Sequence, residues 1–419
     1  MKLKKILLPL SLVALLATLT VPAKAQNGTM TPYSRYGYGM LNDNATSAQR
    51  GMGSVGYAMR SGRQINVMNP ASYAAIDSMT FLFDMGVSLS ALWSQENGNT
   101  ERSFGGGLEY ITMQVPIGKR MGASAGILPY ASTGYAFGGD IENGSTQRSG
   151  SGSINQAYLG FAGRPFDGLS LGFNFAYLFG NTVNDLYTMT STSSSTMFQR
   201  NMSVRDWHLD LGVQYGFNVG RRNRVTLGLT FSPGKDLHGH TYGVYYDGAT
   251  HNSNATADTV GYTSLKGLYS LPESWGAGIN YEWNHSLMVE ADFTYQPWKN
   301  AKFAKIENFE STEFADRWRL GLGMQYTPNP RGGYGRRIQY RAGTYYNHDY
   351  LMIRGNNIRE YGITLGLGLP VPNFKSIVNL GLEWKHRQCS PVALIKENYF
   401  NITIGINFNE MWFRKSRIY

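Results

Sequence analysis

The sequence predicts an all-β fold: a transmembrane antiparallel β-barrel of about 14 strands, preceded by an N-terminal plug. Three observations carry that prediction. Apolar and polar residues alternate at period two through most of the chain. Glycine and aromatic residues are abundant while charge is sparse, with 50 Gly, 28 Tyr, 20 Phe and 8 Trp among 419 residues and 16% charged side chains. The chain also opens on an export leader.

The leader comes first. Lys2, Lys4 and Lys5 make a positive start, Ile6 to Val21 is apolar apart from Pro9, Ser11, Thr18 and Thr20, and Ala23-Lys24-Ala25 is a small-x-small cleavage site. Residues 1–25 therefore read as a secretory signal peptide, with mature protein beginning at Gln26. A membrane anchor is the alternative, against which stand the shortness of the stretch and the placement of the cleavage motif. No Cys follows the site, which argues against a lipoprotein.

Charge narrows the partners. The formal charge is +10, but four of the 38 basic residues lie in the leader, which leaves +6 against 28 acids. In an exported chain this modest excess points to anionic lipid or lipopolysaccharide and not to nucleic acid. One cysteine, Cys389, excludes an intramolecular disulfide. Mean hydropathy resembles that of a soluble chain, and after residue 21 no run approaches the ~20 apolar residues of a spanning helix. Barrel strands hide their hydrophobicity in this way, because every second residue faces the lumen.

Period two is plainest near the C-terminus, where Phe400, Ile402, Ile404, Ile406 and Phe408 alternate with Asn401, Thr403, Gly405, Asn407 and Asn409. The same pattern holds for Val378–Lys385, Arg317–Tyr326 and Trp207–Tyr215, with aromatics toward strand ends. Strands are predicted near 80–93, 103–117, 120–136, 153–163, 169–180, 198–217, 224–233, 265–283, 286–297, 316–327, 336–347, 357–369, 376–387 and 398–409. The links Gly118-Lys119, Arg164–Gly168, Asn218–Asn223, Asn284-His285 and Pro370–Lys375 are short, whereas Gly139–Gly152, Asn181–Met197, Gly234–Ser264 and Lys299–Ala315 are long and polar. Such alternation is expected of periplasmic turns and extracellular loops, and a soluble β-sandwich gives no reason for it. Pro328–Gly335 is rather long for a turn. Residues 26–79 show no period, so they are expected to fill the lumen as a plug, with the barrel over 80–419.

Three N-terminal segments, Thr31–Leu41 (TPYSRYGYGML), Gln49–Met59 (QRGMGSVGYAM) and Asn69–Phe81 (NPASYAAIDSMTF), resemble the start of the FadL-type outer-membrane transport proteins, in particular their Bacteroidota branch. Asn69-Pro70-Ala71 is similar to the family's motif at the end of the plug. Ile127–Tyr135, Leu271–Trp298 and Asn407–Lys415 resemble later parts. The resemblance implies a 14-stranded barrel with an N-terminal hatch in the outer membrane of a Gram-negative bacterium. It implies passive uptake of hydrophobic compounds such as long-chain fatty acids, with sideways release at a kinked third strand. Pro129 fits that kink, since proline has no N–H for the ladder; an ordinary bulge or a strand end would also accommodate it. Gly122, Gly126 and Gly134 flank it. Some FadL-like barrels instead look adapted as accessory or docking subunits of outer-membrane secretion or assembly machines, a PorV-like role, and this is the alternative reading.

Alternation also assigns lumen-facing charges: Glu290 and Asp292, Arg317 and Arg319, Arg337 and Arg341, Glu360, then Glu383, Lys385 and Arg387. An ion-pair network filling the barrel is one reading, because an unpaired buried charge is costly. The other is that Arg317, Arg319 and Arg341 keep donors for a ligand carboxylate, which suits the planar guanidinium. No cofactor or metal is expected, and the chain does not read as an enzyme. Gly51-Met52-Gly53-Ser54-Val55-Gly56 matches a dinucleotide fingerprint but lacks the strand–turn–helix context. His238, His240 and His251 read as loop histidines, and no spacing pairs His208, His348 or His386 with an activating serine.

Overall fold

The structure, a computed structural model, describes residues 29–96, 98–141, 143–190, 195–247, 257–304, 312–372 and 375–411. The leader, His251 and the last residues of the C-terminal motif lie outside these. Fourteen antiparallel strands close into a barrel. In chain order they are β1 Thr80–Glu96, β2 Asn99–Pro116, β3 Met121–Ile141, β4 Gly144–Gly163, β5 Leu169–Thr190, β6 Ser195–Val219 and β7 Asn223–Ser232, then β8 Ser274–Trp283, β9 Leu287–Gln296, β10 Arg317–Tyr326, β11 Gln339–Ile353, β12 Asn356–Pro370, β13 Ile377–Ser390 and β14 Lys396–Met411. Each pairs with its sequence neighbours, and β1 closes on β14 from Thr80 opposite Met411 to Gln95 opposite Lys396. Closure removes the free edges that an open sheet would present to lipid.

The alternating residues sort as period two requires. Leu320, Leu322, Met324, Ile363, Leu365, Trp384, Phe400 and Phe408 are exposed on the outer wall, while Glu290, Asp292, Arg317, Arg319, Arg341, Glu360 and Arg387 are buried inside. No helix among the described residues is long and apolar enough to cross a membrane; the crossing is made by strands.

Two links expected as long loops are not loops. Gly139–Gly152 is the upper part of β3 and β4, paired to Ile141 opposite Gly144. Asn181–Met197 likewise continues β5 and β6, paired to Met189 opposite Ser195, with residues 191–194 outside the described set. Polar, Ser- and Thr-rich sequence reads as loop, yet Thr and alternate polar residues suit a sheet with water on both faces. A spanning strand needs about 9–11 residues, and β6 has 25. One side of the barrel therefore stands well above the membrane, whereas β7 to β10 have 10 residues each.

The strand expected over 265–283 also begins later, at Ser274. Leu265, Tyr269 and Leu271 ahead of it are apolar because they pack in a buried cluster with Tyr38, Trp298 and Phe314 at the long-loop end. The segment before them rises as a hairpin, Gly239–Asp247 with Ala257–Ser264, against the upper part of β6. Arg337 is not on a lumen-facing strand position. It caps a short 3-10 turn, Tyr334–Arg336, before β11 starts at Gln339.

Candidate functional site

Residues 29–79 lie inside the ring, bonded to lumen-facing groups around most of its circumference. They contain little regular structure: a 3-10 turn Pro32–Arg35, a single α-turn Ser47–Arg50 and a second 3-10 turn Pro70–Ala75. The α-turn starts where the Gln49 side chain accepts from the Thr46 N–H at 2.8 Å, a reciprocal cap that replaces missing helix length. Asn69 starts the second 3-10 turn, its Oδ1 accepting from the Ala71 N–H at 3.1 Å, while its Nδ2 donates to the Tyr57 carbonyl at 2.7 Å and the Val213 carbonyl at 3.2 Å. The Asn69-Pro70-Ala71 motif thus ties two parts of the segment to β6.

The segment is seated by charge. Asp43 pairs with Arg317 at 3.3 Å and Arg319 at 3.5 Å. Asp43 belongs to the segment and not to a spanning strand; burial pushes its carboxyl up, but Arg319 and Arg317 outweigh that and hold it below the usual range. Arg319 also donates to the carbonyls of Gly53 and Ser54 at 2.8 and 3.2 Å. Arg317 donates to Gln296 at 3.2 Å. Arg341 is bonded on three sides, to Gln325 at 2.7 Å, Asn379 at 2.8 Å and Gln339. The structure therefore brings Arg317 and Arg319 together on Asp43 of the N-terminal segment and leaves Arg341 apart, on wall amides.

A mirror arrangement serves the next turn of chain. The Gly56 and Tyr57 N–H groups donate to Asp292 at 2.6 and 3.0 Å, and the Ala58 N–H donates to Glu290 at 2.8 Å. The Gly51–Gly56 glycines that mimic a dinucleotide fingerprint are thus pressed against barrel wall. Above, Arg387 bonds Glu360, Glu397 at 3.4 Å and the Tyr399 hydroxyl at 3.1 Å, while Thr31 donates to Glu397 at 2.5 Å.

Asp43 lines two cavities between segment and wall. One of about 130 Å³ is lined by Asp43, Arg50, Glu109, Arg319, Glu360 and Lys385 among others. The other, about 110 Å³, is bordered by Tyr130, His208, Asp210 and Gln296. His208 Nε2 lies 3.0 Å from Asp210, and the Ser232 hydroxyl donates to the same carboxylate at 2.6 Å. The carboxylate sits between serine and histidine, so this is not an activated nucleophile. His238 contacts Asp206 at 3.3 Å and His240 stacks on Tyr242.

Pro129 sits at a bulge. The β3–β4 register shifts between Pro129 and Ala131, with Tyr130 as the extra residue. On the other side of β3, pairing with β2 covers only Gly122–Ile127 opposite Ile111–Pro116. From Leu128 upward β3 leaves β2, and the N-terminal segment takes part of the vacated edge. Met40 and Leu41 pair with Ser132 and Ala131, the Asn42 N–H donates to the Tyr130 carbonyl at 2.9 Å, and Ser34 bonds both the N–H and the carbonyl of Gly134. Gly122 and Gly126 lie in the paired part and Gly134 beside the gap. Sequence reasoning missed Asp43, which holds the segment to Arg317 and Arg319, and the Arg50–Glu109 pair at 2.6 Å, because Asp43 and Arg50 lie in a segment without period and Glu109 is the extra residue at the β1–β2 bulge, where parity breaks.

No curated protein matches the sequence. Among solved structures the fold resembles the CymD monoaromatic hydrocarbon channel, with 14% identity, a TM-score of 0.59, and 89% of this chain and 100% of that one covered. It resembles a FadL homologue of Pseudomonas aeruginosa, with 12% identity, a TM-score of 0.60, and 89% and 99% covered. It also resembles the toluene transporter TodX of Pseudomonas putida, with 13% identity, a TM-score of 0.60, and 89% and 99% covered. The architecture is that of the FadL-type outer-membrane channels. The model of the BamG family matches residues 3–419, nearly the whole length, and the chain with its 14-stranded barrel therefore belongs to the BamG family.

Proposed function

We propose that this protein is a FadL-type barrel closed by its own N-terminal segment, acting as an accessory, docking subunit of an outer-membrane secretion or assembly complex. One observation carries the reading: the character of the lumen. Pockets for apolar ligands are mostly apolar and about 300–1,000 Å³. The two cavities beside Asp43, deep in the lumen, are about 130 and 110 Å³ and are walled largely by charged, hydroxyl and amide side chains. An apolar solute placed there would strip water from those groups without replacing their bonds. Above them the mouth is packed with aromatic side chains, Tyr38, Trp298, Phe314 and Tyr350. Arg317, Arg319 and Arg341, in this reading, hold the hatch and the wall together and do not greet a ligand carboxylate. The barrel is then a membrane-held body whose tall β3–β6 wall offers surface to a partner.

The test is recovery of the tagged full-length protein from native outer membrane in mild detergent. Stoichiometric recovery with a secretion or assembly machine supports the reading. Recovery of the barrel alone, together with loss of hydrophobic-solute uptake when its gene is deleted, overturns it.

The separation of β2 from β3 favours a second reading: uptake of hydrophobic compounds such as long-chain fatty acids, released sideways at Pro129. An apolar chain leaving there would gain roughly 0.8 kcal/mol per CH₂ on entering lipid. A disulfide built across the gap should then slow fatty-acid uptake while the fold stays intact.

A further inference from the structure

Around the barrel, the pairing register of β12, β13, β14, β1 and β2 lines up three rows of side chains on the outer wall. The lowest row runs from Ile363 through Trp384 and Phe400 to Phe104. The next, two residues nearer the long-loop end, runs from Tyr361 through His386 and Trp93 to Arg102. The third runs from Arg359 through Lys396 to Thr100. No carboxylate stands in any of the three rows. The acids of these strands at this end have the other parity. Glu360 and Glu397 bond Arg387 inside the lumen, Glu383 accepts from Asn401 at 2.6 Å, and Glu96 and Glu101 stand at the β1–β2 tip. Arg102, Arg359 and Lys396 are exposed, and none of the three has an ion pair or hydrogen bond among the described residues. The opposite wall differs. There the row of Arg359 continues through Trp318, Tyr295 and Trp275, and the positions two residues above the tryptophans are acidic. Asp316 accepts from the Tyr295 hydroxyl at 3.5 Å and lies 3.9 Å from Lys299, and Glu273 is exposed.

We propose that the outer face of β12–β13–β14–β1–β2 binds a glycolipid of the outer leaflet whose headgroup carries more than one phosphate, as lipid A does, with Arg359, Lys396 and Arg102 on the phosphates. Sign decides that the headgroup is anionic: three cations share a face on which no acid offsets them. Spacing decides its kind. Arg359 and Lys396 stand two strands apart, roughly 10 Å, and Arg102 lies two strands further on and one row down. One phosphate cannot bridge them, whereas a sugar headgroup with phosphates at its two ends can. Arginine suits phosphate by its planar fork, and the methylene stems of all three can lie on the wall while their charged ends reach out of it. Position decides the acyl chains. Tyr361 lies 5.8 Å from Trp384 and 5.2 Å from His386, rings that mark the interfacial girdle at this end. Below them the wall is apolar and exposed, from Ile363 at 54% and Leu365 at 56% to Leu89 at 54%.

The inference is independent of the docking function, since a barrel that copurifies with no protein would still hold its lipid. The test uses purified full-length protein in a neutral detergent, with native mass spectrometry of added diphosphorylated lipid A, the same lipid with both phosphates removed, and inorganic phosphate. The diphosphorylated form should be retained at least about tenfold better than the dephosphorylated one, less so as salt is raised, and inorganic phosphate should not displace it. Arg102→Gln, Arg359→Gln and Lys396→Gln together should weaken retention about tenfold, whereas Arg102→Lys, Arg359→Lys and Lys396→Arg together should preserve it. Lys119→Gln, Arg221→Gln and Arg336→Gln, which remove the same charge from exposed positions at the short-turn end, should change nothing. Heat-modifiability on a gel reports that each variant keeps its barrel. Four outcomes overturn the proposal. Equal retention of the dephosphorylated lipid would leave only the apolar wall, and displacement by inorganic phosphate would make this a site for free anions. Equal weakening by the short-turn variant would reduce the effect to net charge. Unchanged lipid retention in the first variant, with loss of an acidic protein from native membrane, would make the face a protein interface.

Discussion

Single residues where the N-terminal segment meets the wall divide into two kinds: those that bond across the contact and those that make room for it. Asp43 is the first kind. Breaking a buried pair by removing one partner costs about 3–5 kcal/mol, and Asp43→Asn strands two buried arginines. The variant should keep its barrel but lose its seal, seen as raised single-channel conductance and faster proteolysis within residues 29–79; wild-type conductance would mean the pair does not hold the hatch. The pH response has a definite sign. Because the folded-state pKa of Asp43 is lowered, its stabilising contribution is present above the ordinary carboxyl range and is lost only as pH falls through the lowered value. Acidification to about pH 5 should therefore leave the hatch seated. Gly228 and Gly343 are the second kind. A Cβ on Gly228 would fall 2.0 Å from the Tyr57 carbonyl, and one on Gly343 would fall 2.3 Å from the Gly53 nitrogen. Gly228→Val and Gly343→Val should each dislodge the segment and raise conductance, whereas Gly107→Val should leave conductance unchanged.

Among the elements, β3 exchanges a barrel strand for the N-terminal segment along its length. Below Ile127 it has β2 on one side and β4 on the other; above, it keeps β4, through the Pro129 bulge, and borrows Met40 and Leu41 from the hatch. Proline removes a donor and the extra Tyr130 re-aims the strand, which is how bulges bend a sheet. Hydrogen exchange should report this directly. Alternate amides of Asn99–Tyr110, those turned away from β1, should exchange quickly, while amides of β5, paired on both sides from Leu171 to Met189, should be protected. Uniform protection across β2 would contradict the separated edges. Ser34→Ala should extend the fast-exchanging region to Gly134, because one hydroxyl serves both of that residue's backbone groups.

At the scale of the whole molecule, the ring and its contents are separable in principle, since the strands have their ladder partners without the N-terminal segment, the upper edges of β2 and β3 excepted. Deleting residues 26–79 should leave a protein that assembles, runs differently on a gel when unboiled and boiled, and conducts small ions through a lumen now lined by hydrated Arg and Glu. A deletion mutant that fails to assemble would show instead that the segment is part of the folding nucleus. A largely helical circular dichroism spectrum of the intact protein would contradict the architecture itself.

The ring was legible because a strand's two faces are written into its sequence: Leu320, Leu322 and Met324 against Arg319, Gly321 and Gly323 announce lipid and lumen without knowledge of any partner. Fourteen such segments were enough for the strand number, and inward charges at 290, 292, 317, 319 and 341 followed from the same parity. Polar stretches misled where both faces meet water, as at Gly139–Gly152 and Asn181–Met197, and the apolar run at Leu265–Leu271 misled because it faces protein and not lipid. What fills the lumen was not legible in its detail. Residues 29–79 have no period, so nothing local says that Asp43 reaches Arg317, 274 residues away, or that the strand glycines mark the track of the hatch backbone. Only the closed barrel, which brings distant strands around one chain segment, decides those pairings. Local periodicity specifies which way a side chain faces, and tertiary closure specifies what it meets there.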